Sequence, residues 1–91
     1  RAVRSALQSF KACYDREYKK DTKLEGKVVI SWEIHEKGIA KNARVLKEKS
    51  TLGNAAVEEC VRSRLLTLRF PEPPPGSMAV AVYPFLFQGQ R

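Results

Sequence analysis

No run of about 18 apolar residues occurs in this chain, so no segment has the length and character of a membrane-crossing helix. No basic-then-apolar leader opens it, and it begins at Arg1 rather than Met. We read it as one domain, residues 1–91, excised from a longer protein whose targeting and anchoring lie elsewhere. There is one histidine, His35, so no histidine-based dyad has a choice of partners. It ends a strand pattern beside Glu33, which reads as a solvated strand end rather than a catalytic base. The five glycines are scattered and form no phosphate-cradling loop. The acidic pairs Asp15/Glu17 and Glu58/Glu59 fall on the polar sides of helical patterns, without the buried setting that retunes a carboxylate. The two cysteines, Cys13 and Cys60, form no CxxC and no metal-ligand set. These absences leave no catalytic residue, no cofactor and no metal to assign.

What is present is globular. Hydrophobic residues are 43% and charged residues 30%, enough apolar content for one small core. Lys plus Arg number 17 against 10 Asp plus Glu, a net charge of +7 that favours anionic partners in general. The bias sits in the first third: residues 1 to 27 hold eight basic and four acidic side chains, and acids interrupt the cations throughout. A solvated surface explains that distribution better than a dedicated nucleic-acid face.

Apolar spacing organises the rest. Val3, Leu7, Phe10, Tyr14 and Tyr18 recur at three and four, which predicts a helix over Val3–Lys19 with Cys13 bordering its apolar face. Lys27 to His35 alternates: Val28, Ile30, Trp32 and Ile34 lie on one face, and Val29, Ser31, Glu33 and His35 on the other. Trp32 reads as core. Glu36-Lys37-Gly38 is a tight connection, and Ile39–Leu46 is a second strand closing a hairpin. Ser50-Thr51-Leu52-Gly53-Asn54 starts a second helix, capped by Thr51 or Asn54. That helix runs to about Leu66, with Val57, Cys60, Val61, Arg64, Leu65 and Leu68 as its stripe. Cys13 and Cys60 thus sit on two helices, as two buried thiols or as one disulfide.

The stretch Phe70–Phe87 is the most informative. A Pro-rich bend leads to an apolar strand with Pro84 inside it. Proline has no N–H for a ladder, so this strand belongs at a sheet edge or carries a bulge. Ala79, Ala81, Tyr83, Phe85 and Phe87 share one face, which we place toward the helices. Val80, Val82, Pro84 and Leu86 share the other. The rival phase is a bulge at Tyr83-Pro84 that joins Val80 and Val82 to Phe85 and Phe87. Either phase leaves an apolar outer strip beside an open edge, a feature that proteins blunt unless they use it. The predicted fold is α+β, in the order helix, hairpin, helix, strand. Its sheet is three-stranded and antiparallel, strand order 2-1-3, with two helices on one face.

Several pieces carry a family likeness: Cys13-Tyr14, Leu24 through Ile30, the Gly38 turn, Ser50 through Asn54, Val57 through Cys60, Phe70-Pro71-Glu72-Pro73, and Tyr83-Pro84-Phe85-Leu86-Phe87. In order and spacing, over nearly the whole chain, they resemble the C-terminal domain of TonB-type energy transducers. More narrowly, they resemble the AgmX/PglI-type C-terminal domain of myxobacterial gliding-motility proteins. Two departures stand out: Thr22 replaces a common proline, and Ala79 and Ala81 are smaller than the pattern expects. The resemblance implies a periplasmic module of an inner-membrane-anchored protein. It also implies β-augmentation by an outer-membrane or periplasmic segment along Ala79, Val80, Ala81, Val82, Tyr83, Pro84, Phe85, Leu86 and Phe87. A periplasmic setting further implies a Cys13–Cys60 disulfide. Two other readings stand beside it. One is a basic nucleic-acid or anionic-polymer binder, for which the outer face of the Trp32 strand is poor in stacking groups. The other is edge-to-edge pairing of two copies through residues 79–87.

Overall fold

The first apolar stripe forms helix α1, Leu7–Tyr18, in the computed structural model, which describes residues 7–89. Val3, placed by its spacing on the same stripe, lies outside the described residues. Strand β1 (Gly26–Ile34) and strand β2 (Ala40–Val45) form the hairpin, helix α2 spans Ala55–Leu65, and β3 spans Ala79–Phe87. The sheet is antiparallel in the order β2-β1-β3, as the sequence predicts.

One face of the sheet builds the core. Val28, Ile30 and Trp32 of β1 and Phe85 and Phe87 of β3 pack with Phe10, Cys13 and Tyr14 of α1 and Val57, Val61 and Leu65 of α2. Aromatic contacts fix α1 over β3: the Phe10 and Phe85 rings lie edge to face at 4.9 Å, and Tyr14 stacks on Phe87 at 5.2 Å. The buried Tyr14 hydroxyl donates to the carbonyl of Leu24, which anchors the loop entering β1. A disulfide joins Cys13 of α1 to Cys60 of α2, and Arg64 of α2 donates to Ser9 of α1 at 2.8 Å.

The β1–β3 pairing runs unbroken from Gly26↔Phe87 to Ile34↔Ala79, so no bulge interrupts the strand at Pro84. The phase that directs Tyr83, Phe85 and Phe87 toward the helices is the one adopted. The bulge lies on β2 instead, where Asn42 takes a φ of 54° and three residues, Lys41 to Ala43, advance the pairing from Glu33 to Ser31. Gly38 has a φ of 73°, and a Cβ there would lie 1.9 Å from the Phe70 carbonyl oxygen. That close approach lets the Phe70 N–H donate to the Gly38 carbonyl at 2.9 Å and clips the Pro-rich bend to the hairpin.

The two candidate caps divide between two tasks. Asn54 caps α2, its Oδ1 accepting from the Val57 N–H at 2.9 Å. Thr51 extends the sheet, its Oγ1 accepting from the Lys27 N–H at 3.0 Å. Replacing Asn54 by alanine is therefore expected to cost about 1 kcal/mol and to fray the first turn of α2. The midpoint of urea unfolding checks the cost, and hydrogen exchange at Val57 checks the fraying.

Side-chain placements depart from the sequence reading at Val29 and Glu58. Val29, expected on the polar outer face of β1, is 5% exposed, and its ladder neighbour Leu46 is buried with it. Glu58, expected on the exposed side of α2, is 5% exposed. The turn Lys47–Lys49 folds over that side of the helix, and Lys47 Nζ reaches Glu58 Oε1 at 2.6 Å.

A candidate docking edge along the last strand

The direction of each main-chain group on β3 follows from its neighbour. The Val29 N–H donates to Ser50 Oγ at 2.9 Å, and the Val29 carbonyl accepts from the Leu46 N–H at 2.8 Å. Both groups of Val29 therefore point away from β3. In an antiparallel ladder, directly opposed residues either both face one another or both face outward. Pro84 stands opposite Val29, so its nitrogen and carbonyl face the open edge. The proline ring thus costs the β1–β3 ladder nothing. By alternation, Ala79, Ala81, Tyr83, Phe85 and Phe87 bond to β1. The open edge carries the N–H groups of Val80, Val82 and Leu86 and the carbonyls of Val80, Val82, Pro84 and Leu86.

The same edge collects the exposed apolar side chains. Among the described residues the exposed large hydrophobics are Leu7 at 44%, Met78 at 46%, Val80 at 64%, Val82 at 53%, Tyr83 at 40% and Leu86 at 75%. Four lie on β3, Met78 leads into it, and Leu7 faces it from α1 across a groove. That groove, about 410 Å³, runs between α1 and β3 with Phe10 and Phe85 at its floor and Leu7, Lys11, Tyr83 and Leu86 among its walls. The nine candidate residues thus divide by role. Phe85 and Phe87 are committed to the core with Ala81 packed against it. Ala79, Val80 and Val82 are exposed, Tyr83 and Pro84 line the groove, and Leu86 lies at its rim with its side chain largely in solvent. Leu7 and Lys11 complete the site and were not singled out from sequence. A helical stripe does not tell which of its turns reaches past the sheet.

The opposite edge is built differently. β2 is short, carries the Asn42 bulge and exposes Lys41, Asn42 and Arg44, the features that discourage strand addition. Glu33 braces that bulge: its Oε1 accepts from His35 Nε2 and from Asn42 Nδ2, each at 2.8 Å. The hydrogen bond from His35, and then that from Asn42, hold the Glu33 carboxyl below the usual carboxylate range. A depressed folded pKa contributes stability that is present above the unfolded value and is lost as pH falls through the folded one. Acid titration is therefore expected to move the Asn42 and His35 amide resonances with a midpoint below that of an unperturbed glutamate. Glu33→Gln should remove that step.

The remaining shifted groups are structural. Burial, then the neighbouring Tyr18, pushes the Tyr14 hydroxyl above its ordinary value, which keeps it a neutral donor. No group of three His, Cys, Asp or Glu side chains converges among the described residues. Comparison with protein-family models, curated proteins and solved structures returns no match.

Proposed function

We propose that this domain is a non-catalytic protein-interaction module that takes an extended partner segment as a fourth strand along Ala79–Phe87. The observation that carries this reading is the coincidence, on one edge, of main-chain groups with no neighbouring strand among the described residues and the exposed large apolar side chains of those residues. Main-chain pairing would supply affinity. Alternate partner side chains would enter the groove beside Leu7 and Tyr83 or lie alongside Val80, Val82 and Leu86. The likeness to TonB-type and gliding-motility C-terminal domains supports the wider setting. In it, a periplasmic module of an inner-membrane-anchored transducer grips an outer-membrane or periplasmic segment. The Cys13–Cys60 bond suits an oxidising compartment of that kind.

Pro84 argues against self-pairing as the main use of the edge. Two copies aligned antiparallel about Tyr83 would set Val82 of each against Pro84 of the other and forgo two hydrogen bonds. A foreign strand forgoes one. A nucleic-acid role is disfavoured by the outer face, where Val29, Ser31 and Glu33 of β1 offer no stacking ring.

The test is titration of isotope-labelled protein with extended peptides from candidate periplasmic and outer-membrane proteins. The expected result is perturbation of the Val80, Val82 and Leu86 amides together with Leu7 and Tyr83. Perturbation confined to α2 would sink the reading.

A further inference from the structure

The outer face of the sheet carries a second pattern, separate from the open edge. Main-chain groups of β3 point sideways; the side chains of Val80, Val82, Pro84 and Leu86 point away from the helices. Pairing fixes their neighbours in rows across the sheet. Lys41, Glu33 and Val80 form one row, and Arg44, Ser31 and Val82 the next. Leu86 lies beside Lys27 at the far end. Read from β2 to β3, these two rows pass from a cation through Glu33 or Ser31 to valine, so the Glu33 carboxylate offsets part of the charge of Lys41. The next row is apolar, with the buried Val29 beside Pro84. Lys41 and Arg44 are exposed and enter no salt bridge among the described residues. The two outer columns are separated by two strand spacings, about 10 Å.

We infer that this face rests on an anionic lipid surface. A bilayer interface has the same gradient: fixed negative charge at the headgroups and acyl chain within about 5–10 Å of them. A modest tilt about the strand axis brings Val80, Val82 and Leu86 below the headgroups and keeps Lys41 and Arg44 level with the phosphates. The edge N–H groups stay in the hydrated headgroup layer, where phosphate oxygens and water accept from them. A second copy of the chain fits this face badly. Face-to-face packing about a two-fold axis along the strands sets cations over apolar side chains. About an axis across the strands it sets cations over cations. A nucleic acid would answer the charge but leave the Val80, Val82 and Leu86 column unused. A lipid surface answers both halves at once. Strand docking at the edge leaves these side chains outward-facing, so the inference stands whether or not that reading holds.

The experiment is co-sedimentation of the 91-residue protein with phosphatidylcholine vesicles and with phosphatidylcholine vesicles containing phosphatidylglycerol. Binding is expected to the second only and to weaken with added salt. Lys41→Gln with Arg44→Gln should weaken binding about 25-fold, from about 5-fold per cation near an anionic surface. Val82→Asp should reduce it at least as far. Both changes are at exposed sites, and unchanged thermal melting shows that the fold is intact. Equal binding to both vesicle types, no binding to either, or full binding by Val82→Asp would each overturn the inference. Soluble glycerophosphoglycerol is expected not to displace the protein from vesicles. Displacement at equal phosphate would mean a headgroup site without a membrane role, and would overturn it as well.

Discussion

Proline at Val82 is expected to weaken strand docking at least about tenfold, the equivalent of one good hydrogen bond plus the block to close approach, while the fold stays intact. Proline at Ala81, one residue earlier, is expected to destabilise the fold by about 2–4 kcal/mol, because it removes a ladder bond and leaves a carbonyl unpaired. The contrast follows from direction alone. Val82 stands opposite Ser31, and its N–H points to the open edge, as the nitrogen of Pro84 does. Among the described residues β3 has no neighbour on that side to use the donor; a docked strand would. Ala81 stands opposite Trp32, a core residue, and its N–H points into the sheet. Urea unfolding and peptide titration of the two variants give four numbers. If both prolines destabilise equally, the assigned direction of β3 is wrong. If Val82→Pro binds peptide as the parent does, the main-chain edge is not what the partner uses.

The elements of the fold were legible because each has a clear apolar period and clear punctuation. The Lys27–His35 alternation, the Gly38 turn and the run ending at Pro71 set β1, the hairpin and the end of α2. Pro84 marked β3 as an edge strand, and among the described residues β3 pairs with β1 alone. Its phase was read with Tyr83, Phe85 and Phe87 toward the helices, but both faces of Ala79–Phe87 are apolar, so period alone left a bulge at Tyr83-Pro84 as a rival. The register chose: unbroken pairing with β1 places Pro84 where its missing N–H falls outside the ladder. Other features depend on partners distant in sequence. Thr51 and Asn54 are both good caps locally, and the choice is made by Lys27, 24 residues away, which takes Thr51. Glu58 reads as surface until the turn after β2 closes over it. The candidate edge was legible in its residues. The groove wall was not, because it needs Leu7 of α1 brought across from β3.

Loss of the Cys13–Cys60 bond is expected to remove about 4 kcal/mol of stability, by the chain-entropy argument for a closed loop of this length. The sequence separation is 47 residues. A domain of this size has a total stability on the order of 5–13 kcal/mol, so the loss is a large share of the whole. It should lower the melting temperature by at least about 15 °C. The functional consequence is local before it is global. α1 supplies the Leu7 wall and the Phe10 floor of the groove, and this bond is its one covalent tie to α2, beside the shared core and the Arg64–Ser9 and Asn54–Glu17 hydrogen bonds. Breaking the bond loosens the wall while β1 and β2 stay paired. Cys13→Ala/Cys60→Ala is therefore expected to raise hydrogen exchange in α1 more than in β1 and to weaken peptide docking in proportion. Thermal melting, exchange and titration on one preparation test all three. Equal melting of the parent with and without reductant, once thiol titration has confirmed reduction, would show that the core aromatics hold α1 without the covalent link. The groove would then be independent of redox state.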